Sequence, residues 1–186
     1  MLTMVFLLGA AIGLSLASER WPWSIPATVL LAAWAMTRLP DIDLVLGLGH
    51  RSGLTHSLLP AGLACGRRRW WPLAAGVALG LGFHLSADMF PNAMRGYATV
   101  KLPGLGSIGS GASYLWLAAN AVAALILGAW LLGRVLAPRA ALAVLGAIAL
   151  LGIAYLFATD GGWWALAMFG GTGWLALRGR RAAQPG

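Results

Sequence analysis

Charged side chains are scarce in this sequence, and histidine and cysteine are scarcer still. Only 10% of the 186 residues are charged and five are acidic, whereas 60% are hydrophobic. Soluble domains carry about 25% charged residues, so the chain lacks the polar surface that a soluble domain needs. The single cysteine excludes an internal disulfide bond.

Long apolar runs recur from end to end instead, which is typical of a polytopic membrane protein. They predict one all-α integral membrane domain over 1–186, a bundle of about six or seven transmembrane helices. The third run is short, so a tilted or half-inserted helix is the alternative there. The segments are 3–18, 24–38, 54–66, 70–90, 113–134, 139–158 and 161–177.

The net charge of +8 would suggest nucleic acid in a soluble protein, but here the arginines cluster at the ends of apolar runs. We therefore expect no nucleic-acid partner and a location in the cell (inner) membrane. The positive-inside rule places most arginines in the cytoplasm. Four cations remain on the opposite, non-cytoplasmic face: Arg38, Arg51, Arg95 and Lys101.

The few ionisable side chains that bind metals are concentrated in two blocks, 39–57 and 84–92. All three histidines and three of the five acids fall there, and the predicted topology brings both blocks to the non-cytoplasmic face. The candidate metal-site residues are Asp41, Asp43, His50, His56, His84 and Asp88.

The "LPDID" block should follow the second helix, because Pro40 disfavours a helical conformation at Leu39. In an extended turn, Asp41 and Asp43 would point the same way and share a cation. The alternative is that Asp41 caps the next turn and Asp43 is solvated.

The "GHRSGLTHS" block places two histidines on either side of a turn. Thr55 is expected to cap the third helix, with His56 in or near its first turn. An isolated histidine there is more often a structural hydrogen-bonding group than a ligand. His84 and Asp88 are i and i+4 on the fourth helix and share a face; a simple hydrogen-bonded pair is the alternative.

Imidazole nitrogens and carboxylate oxygens together suit Zn²⁺, or Mn²⁺ or Fe²⁺ if oxygens dominate. Six candidates exceed what one four-coordinate ion needs, so one ion with supporting residues or two ions would account for them.

The three blocks "LPDID", "GHRSGLTHSLL" and "GFHLSADMF" resemble the signature of the YdjM-type family of membrane-bound metal-dependent hydrolases. That family is considered distantly similar to the zinc-dependent phospholipase C and P1 nuclease group. The resemblance covers about residues 39–92 and implies that the six candidates form the metal site. Two histidines typical of the family are missing and Ser52 is an insertion, which implies one or two ions rather than three.

These patterns predict a metal-dependent hydrolase that acts on a lipid or lipid-linked phosphoester at the outer face. Asp41 or Asp43 would be the general base, and the four outer cations would bind substrate phosphate or lipid headgroups. The Gly-rich loop 91–113 would fold over the site. The alternative is a divalent-cation transporter or metal-binding membrane protein without catalysis, but the later apolar runs carry no ionisable residue mid-span.

Overall fold

A computed structural model describes residues 1–90 and 93–159 of the chain. Within them lie six α-helices, which we number α1 to α6: Leu2–Ala17, Ser24–Met36, Leu59–Ala64, Trp71–Asp88, Ser110–Val135 and Pro138–Phe157. Three short 3-10 helices occupy Leu39–Leu44, Arg68–Trp70 and Gly96–Ala98. One antiparallel hairpin pairs β1 (Lys101–Leu102) with β2 (Gly106–Ser107), Leu102 opposite Gly106.

The all-α prediction is confirmed for the described residues, and the number of spans is not. Two helices, α5 and α6, are long and apolar enough to cross a membrane. Helices α1 and α2 are apolar but only 16 and 13 residues long, shorter than the roughly 20 residues of a typical span. The seventh predicted segment, 161–177, lies outside the described residues.

The third predicted segment, 54–66, is only partly helical. Helix α3 has six residues, begins at Leu59 and has a proline in its first turn. The prediction that Thr55 caps this helix, with His56 in or near its first turn, was therefore wrong. The chain from 45 to 58 forms turns, which leaves the histidine block free to wrap around the end of α4.

Helix α4 is the centre of the bundle, and nearly all its residues are buried. It packs most extensively against α2 and α5 and less extensively against α1, α3 and α6. Two glycines of α4, Gly76 and Gly80, face the backbone of α2. A Cβ at Gly76 would lie 2.3 Å from the carbonyl oxygen of Val29, and one at Gly80 would lie 2.1 Å from that of Ala33. The two backbones thus touch, as small residues allow in membrane helix pairs, and the last turn of α4 comes close to the end of α2.

The Gly-rich loop folds back on the histidine block through main-chain hydrogen bonds. The Lys101 N–H donates to the Arg51 carbonyl at 3.0 Å, and the Gly53 N–H donates to the Lys101 carbonyl at 2.8 Å. The hairpin is also tied to α5, because the Ser113 hydroxyl accepts from the Val100 N–H at 2.9 Å. For the described residues 93–113, these contacts show that the loop folds back on block 39–57, and a cover over the whole site stays a prediction.

The glycine contact between α2 and α4 yields a stability prediction. Gly80→Ala should lower the free energy of unfolding by about 1–3 kcal/mol, because the added methyl must push the helices apart. Gly133→Ala in α5 is the control, since no heavy atom outside that helix lies within 4 Å of its Cβ. Denaturant unfolding of the purified protein in detergent measures both; equal stabilities would refute the tight contact.

Candidate metal centre

Two buried imidazoles meet at the centre of the site. His84 comes from the last turns of α4 and His56 from the turn before α3, and their Nε2 atoms are 3.1 Å apart. Their side chains are 2% and 0% exposed. The two histidines, 28 positions apart in sequence, therefore point their outer nitrogens into one small space.

Carboxylates close this space from two sides. Asp41 Oδ1 lies 3.8 Å from His56 Nε2 and 3.7 Å from His84 Nε2. Asp88 Oδ2 lies 3.2 Å and 3.6 Å from the same two nitrogens. The predicted same-face arrangement of His84 and Asp88 is confirmed, and Asp41, at 35% exposure, is the ligand candidate most open to the outside.

The hydrogen-bond partners of both rings place a proton on each Nδ1 and turn each Nε2 toward the cluster. His84 Nδ1 lies 2.9 Å from the carbonyl oxygen of Thr37, which only accepts, so Nδ1 carries the ring proton. His56 Nδ1 lies 3.2 Å from Asp43 Oδ2 and donates to that carboxylate in the same way. Two imidazole Nε2 atoms and two carboxylates therefore converge, and this set needs a positive charge among its atoms, which a proton on His56 Nε2 or a metal ion would supply.

The distances also suit a metal ion. A tetrahedral zinc ion with ligands at about 2.0–2.2 Å separates its ligand atoms by about 3.3–3.6 Å, close to the spacing found here. The ligand atoms of Asp41, His56 and His84 all lie within 4.8 Å of one another, and this group could hold a metal ion. Asp88 Oδ2, 3.2 Å from His56 Nε2, is the candidate for a fourth ligand or a proton acceptor.

Asp43 stands behind His56 and does not face the cluster. Residues 39–44 form a 3-10 helix, where two positions correspond to about 240° of rotation, so the prediction that Asp41 and Asp43 point the same way was wrong. Asp43 Oδ2 accepts from the Ser52 N–H at 2.8 Å and from the Thr55 hydroxyl at 3.3 Å. It has the geometry of the carboxylate that orients a metal-binding histidine.

The electrostatics of the site favour positive charge at His56. Burial disfavours the imidazolium, but the hydrogen bonds and charges of Asp43 and Asp88 outweigh it and raise the pKa of His56 to about 9. Burial likewise acts to raise the pKa of Asp43, yet the hydrogen bonds from His56 and Ser52 bring that pKa below its usual value. This carboxylate is thus ionised at neutral pH and keeps the His56 proton on Nδ1.

Arg51 connects Asp88 to the hairpin. Its guanidinium donates from NH2 to Asp88 Oδ1 at 3.1 Å and from NH1 to the Ala98 carbonyl at 2.7 Å. Arg51 is 6% exposed and has a φ of 56°, a left-handed conformation found at no other non-glycine residue in the described ranges. A buried, paired arginine at a strained position has the contacts of a support for Asp88, which is a different role from the substrate binding predicted for Arg51.

The remaining predicted residues lie around the cluster. The His50 ring stacks on Tyr97 with centroids 4.4 Å apart and is 6.3 Å from the His56 ring. Burial and neighbouring Arg51 lower the pKa of His50, so it is neutral, and its buried Nδ1 has no hydrogen-bond partner in the described part of the chain. The Lys101 ammonium donates to the Tyr97 carbonyl. Arg38 and Arg95 are exposed.

Sequence reasoning missed three supports that come from other helices. The Trp116 indole N–H of α5 donates to the His56 carbonyl at 2.8 Å, and Asn120 Oδ1 accepts from the Leu58 N–H at 2.8 Å. The Tyr155 hydroxyl of α6 lies 3.1 Å from His84 Nδ1. Asn120 was visible as a polar residue inside an apolar span, whereas Trp116 and Tyr155 carry no local signal.

No protein-family model matches the chain, and neither the curated proteins nor the solved structures include a match. The resemblance to the YdjM-type family therefore rests on the three motif blocks and stays a prediction.

The different positions of the ligand candidates and of Asp43 predict graded effects on metal binding. His56→Ala and His84→Ala should each remove the bound metal, and the double variant should be little worse than either alone because the two act as one unit. Asp43→Asn should retain metal but bind it about 10–100-fold more weakly, the usual effect of a supporting carboxylate.

Elemental analysis and competition with a chromophoric chelator measure these effects on the purified protein. Glu19→Gln is the matched control, an exposed acid beyond the end of α1 that should leave affinity unchanged. Parent-like metal affinity in His84→Ala would contradict the metal centre, and parent-like affinity in Asp43→Asn would contradict its supporting role.

Proposed function

We propose that this chain is a membrane-embedded, metal-dependent hydrolase of phosphoesters, and that the substrate is a lipid or lipid-linked phosphate. The observation that carries the proposal is the cluster of Asp41, His56, His84 and Asp88, of which the first three could hold a metal ion. The nitrogen and oxygen donors favour zinc, with manganese or iron as alternatives. The resemblance of the motif blocks to the YdjM-type family supports the same reaction class.

The residues of the cluster divide into holding and reacting groups. Asp41, His56 and His84 hold the ion, which would polarise a phosphoryl oxygen and lower the pKa of a coordinated water. Asp43, fully buried behind His56, orients that ring. Asp88 Oδ2 is the carboxylate oxygen that Arg51 does not hold, so we assign Asp88 the role of general base, with Arg51 keeping its carboxylate in place.

The surface beside the cluster supports a lipid substrate. Leu44, Val45, Leu46 and Leu48 follow the 3-10 helix directly and are all exposed, Val45 at 73%. Several main-chain N–H groups of these turns donate hydrogen bonds within the segment. The Leu48 N–H, for example, donates to the Asp43 carbonyl at 2.9 Å. An exposed apolar patch next to a polar site suits a membrane interface. A substrate held in the bilayer would then approach the cluster along this patch.

The polar side of the entrance has cations suited to phosphate. Arg38 follows Thr37, whose carbonyl binds His84, and Arg95 and Lys101 belong to the segment that covers the histidine block. Arginine can bind phosphate oxygens through two parallel hydrogen bonds. We assign these three residues to the substrate phosphate, which would place the phosphoester between them and the cluster.

The reaction itself is tested on full-length protein reconstituted in vesicles. The zinc-loaded protein should release phosphate from a long-chain alkyl phosphate and act at least tenfold more slowly on p-nitrophenyl phosphate, because only the former partitions into the bilayer. A chelator should abolish the release and added zinc should restore it, His84→Ala should be inactive, and Glu19→Gln should match the parent.

Two results would overturn parts of this proposal. Protein that binds stoichiometric zinc but hydrolyses no lipid phosphate would favour the transport or metal-storage alternative. Protein that binds no divalent metal at all would remove the basis for both.

The side of the membrane is tested by labelling. In a Cys65→Ala background, Leu105→Cys introduces one thiol at the 79%-exposed turn of the hairpin. A membrane-impermeant maleimide should label it in intact cells, because we propose that the site faces the non-cytoplasmic side. Labelling only after permeabilisation would reverse the orientation and place the substrate in the cytoplasmic leaflet.

A further inference from the structure

Tyr155 reaches the metal centre from a helix that carries no other part of it. It lies in the last turns of α6, and its hydroxyl oxygen is 3.1 Å from His84 Nδ1. The same Nδ1 is 2.9 Å from the Thr37 carbonyl oxygen at the end of α2. One ring nitrogen therefore has two oxygen neighbours, and only one of them is needed to orient the ring.

The protons of this group can be assigned one by one. A carbonyl oxygen has no hydrogen to give, so the Nδ1 hydrogen belongs to His84 and points to Thr37. An Nδ1 that carries a hydrogen has no lone pair left for the Tyr155 hydroxyl. The phenol oxygen can therefore only be a second acceptor of the His84 Nδ1–H. The hydroxyl hydrogen of Tyr155 does not bond to His84.

No second partner for that hydrogen is found in residues 1–90 and 93–159. The Tyr155 hydroxyl oxygen has its contact with His84, and the other hydrogen bonds to Tyr155 reach its main-chain carbonyl. A half-buried hydroxyl normally finds an acceptor, because leaving one unsatisfied costs about 1–3 kcal/mol. If orienting His84 were the only requirement, a phenylalanine would fill the same space without that cost.

The Tyr155 hydroxyl and the cluster lie at the two nitrogens of one imidazole. The His84 ring has the phenol at Nδ1 and Asp41, His56 and Asp88 at Nε2, so the hydroxyl is one ring away from the cluster. Phosphate carries four oxygens, so one can face the cluster while a second extends around the ring edge to the hydroxyl. Water can occupy that place when no substrate is bound.

We propose that Tyr155 donates its hydroxyl hydrogen bond to a non-bridging oxygen of the phosphate group bound at the cluster. This inference rests on the proposed function for the identity of the ligand. It adds α6 to the binding site and makes Tyr155 a substrate-binding residue. It involves no transfer of the phenolic proton, only a hydrogen bond to an anionic oxygen.

The test compares Tyr155→Phe with the parent in the full-length, zinc-loaded protein. Zinc affinity should change less than twofold, because Thr37 still orients His84. Inorganic phosphate, measured by calorimetry and as a competitive inhibitor, should bind about tenfold or more weakly, as loss of a hydrogen bond to a charged group predicts. Tyr114→Phe in α5, a second partly exposed tyrosine, is the control and should bind phosphate like the parent.

The outcomes separate this inference from the proposed function. Unchanged phosphate affinity in a zinc-loaded Tyr155→Phe protein that still hydrolyses lipid phosphate would overturn the inference alone. Lost zinc affinity with unchanged phosphate affinity per loaded site would also overturn it, since Tyr155 would then only position His84. Tyrosine-dependent phosphate binding in a protein that hydrolyses nothing would support the inference and refute the hydrolase.

Should Tyr155→Phe fail to fold, parent protein with 3-fluorotyrosine incorporated provides the second measurement. The fluorine resonance of Tyr155, assigned as the signal missing from a Tyr155→Trp sample, should shift on addition of phosphate to the zinc-loaded protein. The absence of a shift at saturating phosphate would overturn the inference.

Discussion

Two imidazole nitrogens that face each other at 3.1 Å, with two carboxylates beside them, impose the main constraint on this molecule. Each ring is held through its Nδ1, His56 by the Asp43 carboxylate and His84 by a main-chain carbonyl at the end of α2. Such an arrangement is favourable only with a positive charge among the two nitrogens and the two carboxylates, which a proton or a metal ion would supply. The glycine contact between α2 and α4 serves the same end, since it brings the Thr37 carbonyl within reach of His84.

The support of the site is distributed over the whole bundle. Helix α5 holds the main chain around His56, α6 reaches His84, and Arg51 connects Asp88 to the hairpin. The chain thus uses apolar helices for position, and a single irregular segment, residues 39–58, contributes four of the six candidate residues: Asp41, Asp43, His50 and His56. The hairpin contacts this segment through main-chain hydrogen bonds to Arg51 and Gly53.

The sequence was sufficient for the helical class and for naming Asp41, His56 and His84, which the fold brings together as a group that could hold a metal ion. Histidine and aspartate are so rare here that their concentration in two blocks indicated a site. The i, i+4 spacing of His84 and Asp88 places both side chains on one face of a helix. The sequence does not show which of the six candidate residues face the cluster and which support it from behind. Whether Asp41 and Asp43 point together depends on a local choice between extended and 3-10 backbone, which a five-residue motif does not determine.

Other features depend on contacts distant in sequence. Tyr155 lies 71 positions from His84, and nothing in its apolar surroundings distinguishes it from an interfacial aromatic residue. The third apolar run predicts a possible span, because composition shows how hydrophobic a segment is but not which hydrogen bonds it forms. In the structure its first half is committed to turns by Asp43 and the hairpin, so only six residues remain helical.

The hairpin and the histidine block are joined by hydrogen bonds between main-chain atoms, from Lys101 to Arg51 and from Gly53 to Lys101. Hydrogen bonds between main-chain atoms can persist when most of the side chains are substituted. The residues of the hairpin can therefore be replaced during evolution while the cover keeps its place over the ligands. A family built on this plan would be expected to conserve Asp41, His56 and His84 strictly and to diversify the hairpin.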